Sequence, residues 1–305
     1  MSLVIHSITM KIAAYSYQNQ NFVGLVSNAG ASVEAFAFAQ DEAQRGLLAV
    51  IDCQQAGKPL PARAAAVPLS AVKLHAPVPK PRRNIFCVGK NYYEHAIEFG
   101  SSGFDSSTAK AGDEIPKDPI IFTKVPECVI ATGEAIQIPH GVSDAIDYEA
   151  ELTIIIGKGG KKINEADAMQ HVWGYTIVND VTARDWQQRH KQWHLGKSFD
   201  TFCPMGPIAV SGGMGADECN GEDTQMKLWV NGELRQNVGT KRLIFNIPKL
   251  ISVISQGITL YPGDLIATGT PVGVGLGFKP PKYLKAGDVV KIEIDGIGVL
   301  ENLLA

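Results

Sequence analysis

Short apolar runs separated by turn residues dominate the chain, and long helical periodicities are few. From Met10 to about Leu74, "KIAAYSY" and "FVGLV" read as short strands. The following "SVEAFAFAQDEAQRGLLAVIDCQQAG" has helical spacing in its middle and closes on a glycine. "LHAPVPKPRRN", residues 74–84, carries three prolines. Each proline fixes φ and removes a ladder donor, so this stretch marks a boundary. The pattern predicts a small leading α+β domain over residues 1–76 and a larger domain over 77–305.

Beyond the boundary, "IFCVGKNYYEHAIEFG" predicts a buried strand, a glycine turn and a short helix from about Tyr92 to Phe99. The next twenty or so residues, "GSSGFDSSTAKAGDEIPKDP", have few apolar positions, which in a compact protein means a lid or a disordered stretch. Strands resume at "IIFTKV" and continue through "AIQIPH", "ELTIIIG", "VWGYTIVND", "GPIAVSG", "MKLWVNGELRQ", "DLIATGTP" and "VVKIEIDGIGVLENLL". "VNGE" and "IDGIG" are hairpin signals. Three helical stretches interrupt them: "NEADAMQHV", "VTARDWQQRHKQW" and "NIPKLISVISQG". Strands joined by turns, with few long helices, argue for a largely antiparallel, β-rich α+β fold.

The 305 residues are 45% hydrophobic and 19% charged, enough to bury a substantial core. A net charge of −3, with "KPRRN" the one notable basic cluster, argues against a nucleic-acid partner. Five widely spaced cysteines without CxxC or zinc spacing fit a reducing, cytoplasmic setting. No apolar run approaches the ~20 residues of a membrane span. The N-terminus lacks the pattern of an export signal, and Met10 reads as a start preceded by extra residues.

The chemistry centres on "DYEAELTIIIGKGG", residues 147–160. In a strand, Glu149 and Glu151 share a face roughly 6.6 Å apart. Two carboxylates leading into an apolar run need a cation, a shared proton or open water. Asp180, at the end of the apolar "IVND", is a third candidate ligand, although aspartate is also a favoured helix cap. An all-oxygen set with open positions suits Mg2+, Mn2+ or Ca2+ rather than zinc. Counting from Asp180, Arg184 and Gln187 fall at i+4 and i+7 of a helix, where they reach a metal-bound ligand or form a solvated face. Lys197, in "LGKSFDTFCP", is an oxyanion stabiliser or a surface lysine. His95 and Glu98, at i and i+3, form a base with its orienting carboxylate, or a structural histidine. "ATGTPVGVGLG", residues 267–277, lacks the spacings of a nucleotide loop. It turns tightly, and can bring backbone N–H groups and Thr270 against a small anion.

Taken in order, "CVGKNYYEHAIE", "PIIFTK", "DYEAELTIIIGK", "VNDVTARDWQ", "GKSFDTFCPMGP", "YPGDLIATGTPVGVG" and "LKAGDVVKIEIDGIG" resemble the fumarylacetoacetate hydrolase family from about Ile85 to the C-terminus. The resemblance implies a mixed β-roll or sandwich, usually a homodimer. It implies Mg2+, with Mn2+ or Ca2+ as alternatives, held by Glu149, Glu151 and Asp180. It also implies substrate contacts from Arg184, Gln187, Lys197, Thr270 and Lys124, with His95 and Glu98 as the water-activating dyad. The leading function so implied is hydrolysis of a carbon–carbon bond in a 2,4-dioxo acid of the acylpyruvate type, through a metal-stabilised pyruvate enolate, in aromatic-compound catabolism. The same enolate site would serve an oxaloacetate decarboxylase or tautomerase or a hydroxymuconate-type isomerase, and a non-catalytic dicarboxylate binder is the reading of a different class. "RDWQQRHKQWHLGKSFDTFCPMGP" is similar to the domain-2 branch, where oxaloacetate chemistry is open. The segment between Phe99 and Pro119 is longer than in compact acylpyruvate hydrolases, and fumarylacetoacetase itself is longer, with a different leading domain.

Overall fold

The computed structural model describes residues 9–27, 29–105, 114–212 and 221–305. The chain opens with β1 (Lys11–Tyr17), β2 (Gln20–Val26) and β3 (Ser32–Ala35), followed by helices α1 (Gln40–Ala43) and α2 (Leu47–Gln55). Short strands β4 (Val67–Pro68) and β5 (Lys73–His75) lead to the prolines. Then come β6 (Ile85–Gly89), α3 (Tyr93–Gly100), β7 (Ile120–Lys124), β8 (Val129–Ile130), β9 (Ile146–Asp147) and β10 (Ala150–Ile156). The central run is β11 (Val172–Asn179), β12 (Thr182–Ala183), α4 (Arg184–Arg189), α5 (His194–Lys197) and β13 (Cys203–Ser211). The chain closes with β14 (Gln225–Val230), β15 (Glu233–Gly239), α6 (Ile247–Ser255), β16 (Leu265–Ala267), β17 (Val289–Ile294) and β18 (Gly298–Leu303).

The large sheet runs β4-β3-β2-β1-β13-β11-β10-β16-β6-β7, with β5 added to β1 and β8 to β13. A second sheet has the order β15-β14-β17-β18, and β9 pairs with β12. Among these pairings β8 with β13 and β6 with β16 are parallel, and the rest are antiparallel. The leading strands extend the large sheet through β1, where Lys11 stands opposite Val210.

All seven residues of β10 are buried, as a strand covered on both faces requires. Its period of two divides them. Leu152, Ile154 and Ile156 face a core shared with the second sheet and with Leu250, Ile251 and Ile254 of α6. Ile155 faces the opposite core, which contains Leu47 to Ile51 of α2. Glu151 has the parity of Ile155, so its carboxylate lies on the α2 side of the strand.

Three sequence expectations change. "AIQIPH" forms no strand, because Ile136 makes a single bridge to Leu304 and the Gln137 N–H turns to Thr201 Oγ1 at 2.8 Å. "NEADAMQHV" is a 3₁₀ helix over Glu165–His171 rather than an α-helix. "VTARDWQQRHKQW" divides into β12 and α4 and ends at Trp193, the residue before α5, with Lys191 in a left-handed conformation (φ 58°) between the two helices. Within the segment expected to form a lid, residues 106–113 lie outside the described residues.

Shortening Ile154, fully buried at the centre of the large sheet, removes contacts that the surrounding strands cannot close over. Ile154→Ala is expected to lower unfolding stability by roughly 2–5 kcal/mol. Urea unfolding followed by circular dichroism measures this, and a loss under about 1 kcal/mol would show that β10 is not the packed centre.

Candidate active site

Glu149, Glu151 and Asp180 converge, with one carboxylate oxygen from each lying within 4.8 Å of the others. Glu151 comes from β10, Glu149 stands one residue before that strand, and Asp180 follows β11, the antiparallel neighbour. Backbone bonds hold the junction: the Asp180 N–H donates to Glu149 O (2.9 Å), and the Glu149 N–H to Asn179 Oδ1 (3.0 Å). All three carboxylates are buried.

Cations reach this cluster from separate elements. Lys197, at the end of α5, bridges Glu149 Oε2 at 2.7 Å and Asp180 Oδ2 at 2.8 Å. Lys124, at the end of β7, donates to Asp180 Oδ1 (2.6 Å), to Val181 O (3.2 Å) and to Lys197 O. Arg184 opens α4 with Nε 2.9 Å from Asp147 Oδ2 and Nη1 3.1 Å from Gln187 Oε1. Its Nη2 stands 2.7 Å from Glu149 Oε1, an ion pair between two buried groups. Burial raises the Glu149 carboxyl, but Lys197 and Arg184 outweigh it and hold the group at about 2. Burial pushes Glu151 well above the usual carboxylate range, and the charges of Asp180 and Glu149 add to that. Its hydrogen-bond donor is the Gly269 N–H at 2.9 Å. Four buried carboxylates, counting Asp147, thus face three buried cations, Lys124, Arg184 and Lys197. The crowding of Glu151 against Glu149 and Asp180 and the all-oxygen donor set fit a hard divalent cation held by Glu149, Glu151 and Asp180.

His95 and Glu98 share one face of α3, with His95 Nδ1 3.1 Å from Glu98 Oε2. Glu98 also accepts the Gly273 N–H at 3.1 and 3.3 Å, which ties the dyad to the glycine-rich loop. Close approach explains Gly277, where a Cβ would stand 1.9 Å from Glu98 Oε1.

A cavity joins these groups, lined by Lys90, His95, Glu149, Arg184, Gln187, Lys197 and Thr270, and by an aromatic wall of Phe99, Phe122 and Trp193. The space open to the centre of a water is about 10 Å3, room for about one molecule. Trp193 packs edge-on between Phe99 and Phe122, with centroids 5.7 and 5.3 Å away. A Cβ on Gly89 would lie 2.1 Å from its ring.

Every residue singled out in the sequence therefore reaches this region, in different ways. His95, Glu149, Arg184, Gln187, Lys197 and Thr270 line the cavity. Glu98 backs His95, and Glu151 with Asp180 lies behind Glu149. Lys124 stands behind Asp180 with its side chain fully buried. The helical count from Asp180 does not hold, because Thr182 and Ala183 first pair with Asp147 and Ile146, and α4 begins only at Arg184. Arg184 and Gln187 meet as i and i+3 within that helix.

Two positioning residues went unread. Asp147 accepts the N–H groups of Gly275 (2.6 Å), Tyr148 (2.9 Å) and Leu276 (3.0 Å) besides Arg184. It stands two residues before Glu149, so carrying the alternation one step back would have found it. Gln236, on β15, donates to Thr270 Oγ1 (2.9 Å) and Pro271 O (2.7 Å) and accepts the Ala150 N–H (3.0 Å). No local pattern in "NGELRQ" signals that role.

The fumarylacetoacetate (FAA) hydrolase C-terminal family model matches residues 84–305. The chain is 51% identical over 234 residues to the Bacillus subtilis (strain 168) protein named oxaloacetate tautomerase YisK, covering 77% of this chain and 73% of that one. It is 43% identical over 249 residues to human oxaloacetate tautomerase FAHD2A, mitochondrial, covering 81% and 74%. Among solved structures, a fumarylacetoacetate hydrolase from Exiguobacterium antarcticum superposes with a TM-score of 0.80 at 36% identity, covering 97% of this chain and 99% of that one. A 2-hydroxyhepta-2,4-diene-1,7-dioate isomerase from Mycobacterium marinum superposes with a TM-score of 0.75 at 30% identity, covering 97% and 98%. Among the described residues, no helix is long and apolar enough to cross a membrane.

Burial and the Asp180 and Glu149 charges favour the protonated form of Glu151, so Glu151→Gln is expected to leave the melting temperature in EDTA little changed. The same substitution is expected to weaken Mn2+ binding, read by titration calorimetry, by more than about tenfold. Unchanged Mn2+ affinity would remove Glu151 from the ligand set.

Proposed function

We propose that this chain, which belongs to the fumarylacetoacetate hydrolase family, interconverts the keto and enol forms of oxaloacetate. The observation that carries the proposal is the convergence of the His95–Glu98 pair, Lys197 and Arg184 on one small buried cavity beside the three carboxylates. The names of the relatives in Bacillus subtilis and human support it. A divalent cation held by Glu149, Glu151 and Asp180 would supply Lewis-acid polarisation of the 2-oxo group.

The chain's own residues account for the rest of the reaction. The Arg184 fork and the Thr270 hydroxyl bind the C1 carboxylate, and Gln187 keeps the fork oriented through its contact with Nη1. With Nδ1–H turned to Glu98, His95 presents Nε2 to the cavity as a base that takes the proton from C3. Electron density moves to the C2 oxygen, where the Lys197 ammonium stabilises the charge. The Lys197 ammonium gives a proton to that oxygen, which completes the enol, and the proton on His95 returns to Lys197 through solvent; the reverse sequence regenerates the ketone. Neither direction consumes water.

Hydrolysis of a 2,4-dioxo acid is the second reading. It is favoured by the same dyad, which could activate a water for attack at C4.

Wild-type protein with Mg2+ or Mn2+ is expected to collapse the enol absorbance of oxaloacetate without releasing pyruvate, and EDTA to abolish the effect. Pyruvate plus acetate from acetylpyruvate would establish the hydrolase instead, and pyruvate from oxaloacetate a decarboxylase. His95→Gln is expected to lower kcat about 10²- to 10⁴-fold while Mn2+ affinity stays unchanged. Retained turnover would sink the assigned base.

A further inference from the structure

Asp147, Tyr148 and Glu149 are consecutive, and each holds a different part of the site. Asp147 accepts the Gly275 and Leu276 N–H groups, and Glu149 belongs to the carboxylate cluster. Between them the buried Tyr148 donates its hydroxyl to Gly273 O at 3.0 Å. Gly273 is also the residue whose N–H reaches Glu98, at 3.1 and 3.3 Å, and Glu98 meets His95 Nδ1 at 3.1 Å. A continuous path therefore runs from a carboxylate of the cluster to the base: Glu149, its chain neighbour Tyr148, then Gly273, Glu98 and His95.

Each link on this path has a fixed direction. Arg235 Nη1 stands 3.3 Å from the Tyr148 hydroxyl, and a guanidinium has donors but no acceptor. The phenol oxygen therefore accepts from Arg235, and its proton is left for the Gly273 carbonyl. Arg235 is itself held by Glu233 Oε2 at 2.9 Å and lies 4.8 Å over the Phe278 ring. Gly273 takes φ 104°, and a Cβ there would stand 2.0 Å from Arg235 O, so the loop presses on β15 at a point that admits no side chain. Gln236 anchors the loop before Gly273, at Thr270 and Pro271, and Asp147 anchors it after, at Gly275 and Leu276. The Tyr148 bond falls between those anchors and acts on Gly273 itself. Glu98 has a long side chain with several rotamers, and the one that meets His95 is kept by a Gly273 N–H that does not move away.

We propose that Tyr148 is a positioning residue that sets where the base stands relative to the carboxylate cluster, acting through Gly273 and Glu98. This rests on the reading that His95 is the base, and it names what aligns it. Proton abstraction at C3 needs the imidazole nitrogen in reach of a carbon whose neighbouring 2-oxo group is placed from the carboxylate side, and a misplacement of about 1 Å between the two costs up to about a hundredfold in rate. Because Tyr148 and Glu149 share a peptide bond, that spacing is tied to one short stretch of chain.

Tyr148→Phe keeps the buried ring and removes the hydroxyl alone. Its kcat on oxaloacetate is expected to fall about tenfold, with KM and Mn2+ affinity within about twofold of wild type. In a His95→Gln background the same substitution is expected to cost nothing further, because no base is left to align. Wild-type kcat in Tyr148→Phe, a parallel loss of Mn2+ affinity, or an equal loss in the His95→Gln background overturns the proposal. Hydrogen–deuterium exchange at the Gly273 amide reads the same link without turnover, and losing one hydrogen bond is expected to speed it about fivefold in Tyr148→Phe. Unchanged exchange overturns the proposal as well. If Tyr148→Phe fails to fold, Arg235→Met removes the donor that orients the hydroxyl and keeps a stem over Phe278; a smaller fall in kcat at unchanged KM supports the proposal, and wild-type kcat overturns it. Wild-type protein that cleaves acetylpyruvate and leaves oxaloacetate alone would refute the tautomerase only, and the comparison then runs on acetylpyruvate, since His95 is the base in both readings. If neither compound is turned over, the Gly273 exchange rate decides the role of Tyr148.

Discussion

Carboxylates crowded together out of water impose the condition that the rest of this molecule satisfies. Glu149, Glu151 and Asp180 could not stay within 4.8 Å of one another in a buried cluster unless opposite charge came to them. That charge comes from elements far apart in sequence: Lys124 from β7, Arg184 from α4 and Lys197 from α5. The carbonyl of Lys197 in turn accepts from Lys124, so the two lysines are joined by backbone as well as by their shared Asp180. Removing one member strands the others, which costs more than the pair contributes, so the cluster is cooperative by construction.

The glycine-rich loop is the second organiser. Glu98 of the dyad, Asp147 of the arginine clamp and Gln236 of the second sheet all bond it, at Gly273, at Gly275 with Leu276, and at Thr270 with Pro271. Base, carboxylate grip and wall are thereby set by one piece of backbone. The four-stranded sheet, which lines no part of the cavity, still reaches the site through Gln236.

Much of this was legible in the sequence, for definable reasons. The period of two in "DYEAELTIIIG" placed two carboxylates together, and the i, i+3 spacing of His95 and Glu98 placed the dyad, because both depend on local geometry alone. The helical count from Asp180 failed because a two-residue strand, paired with β9, intervenes, and such pairing is a long-range fact. "AIQIPH" alternates like a strand, but only a single bridge to Leu304 was there to meet it. Lys90 read as one residue of a turn, since its burial depends on Asp105 folding back from beyond α3. Chemistry was harder than placement, because deprotonation at carbon and activation of water call for the same base beside the same carboxylates.

Gly89 and Trp193 carry a consequence for how such a protein can change over generations. The indole occupies the volume that any side chain at position 89 would need. A larger residue there is intolerable while the tryptophan remains, so a change at position 89 must follow or accompany one at 193. Substitutions at the two positions are thus ordered in time, and a lineage that had widened this wall and refilled it from the other side would find the route back closed at its first step.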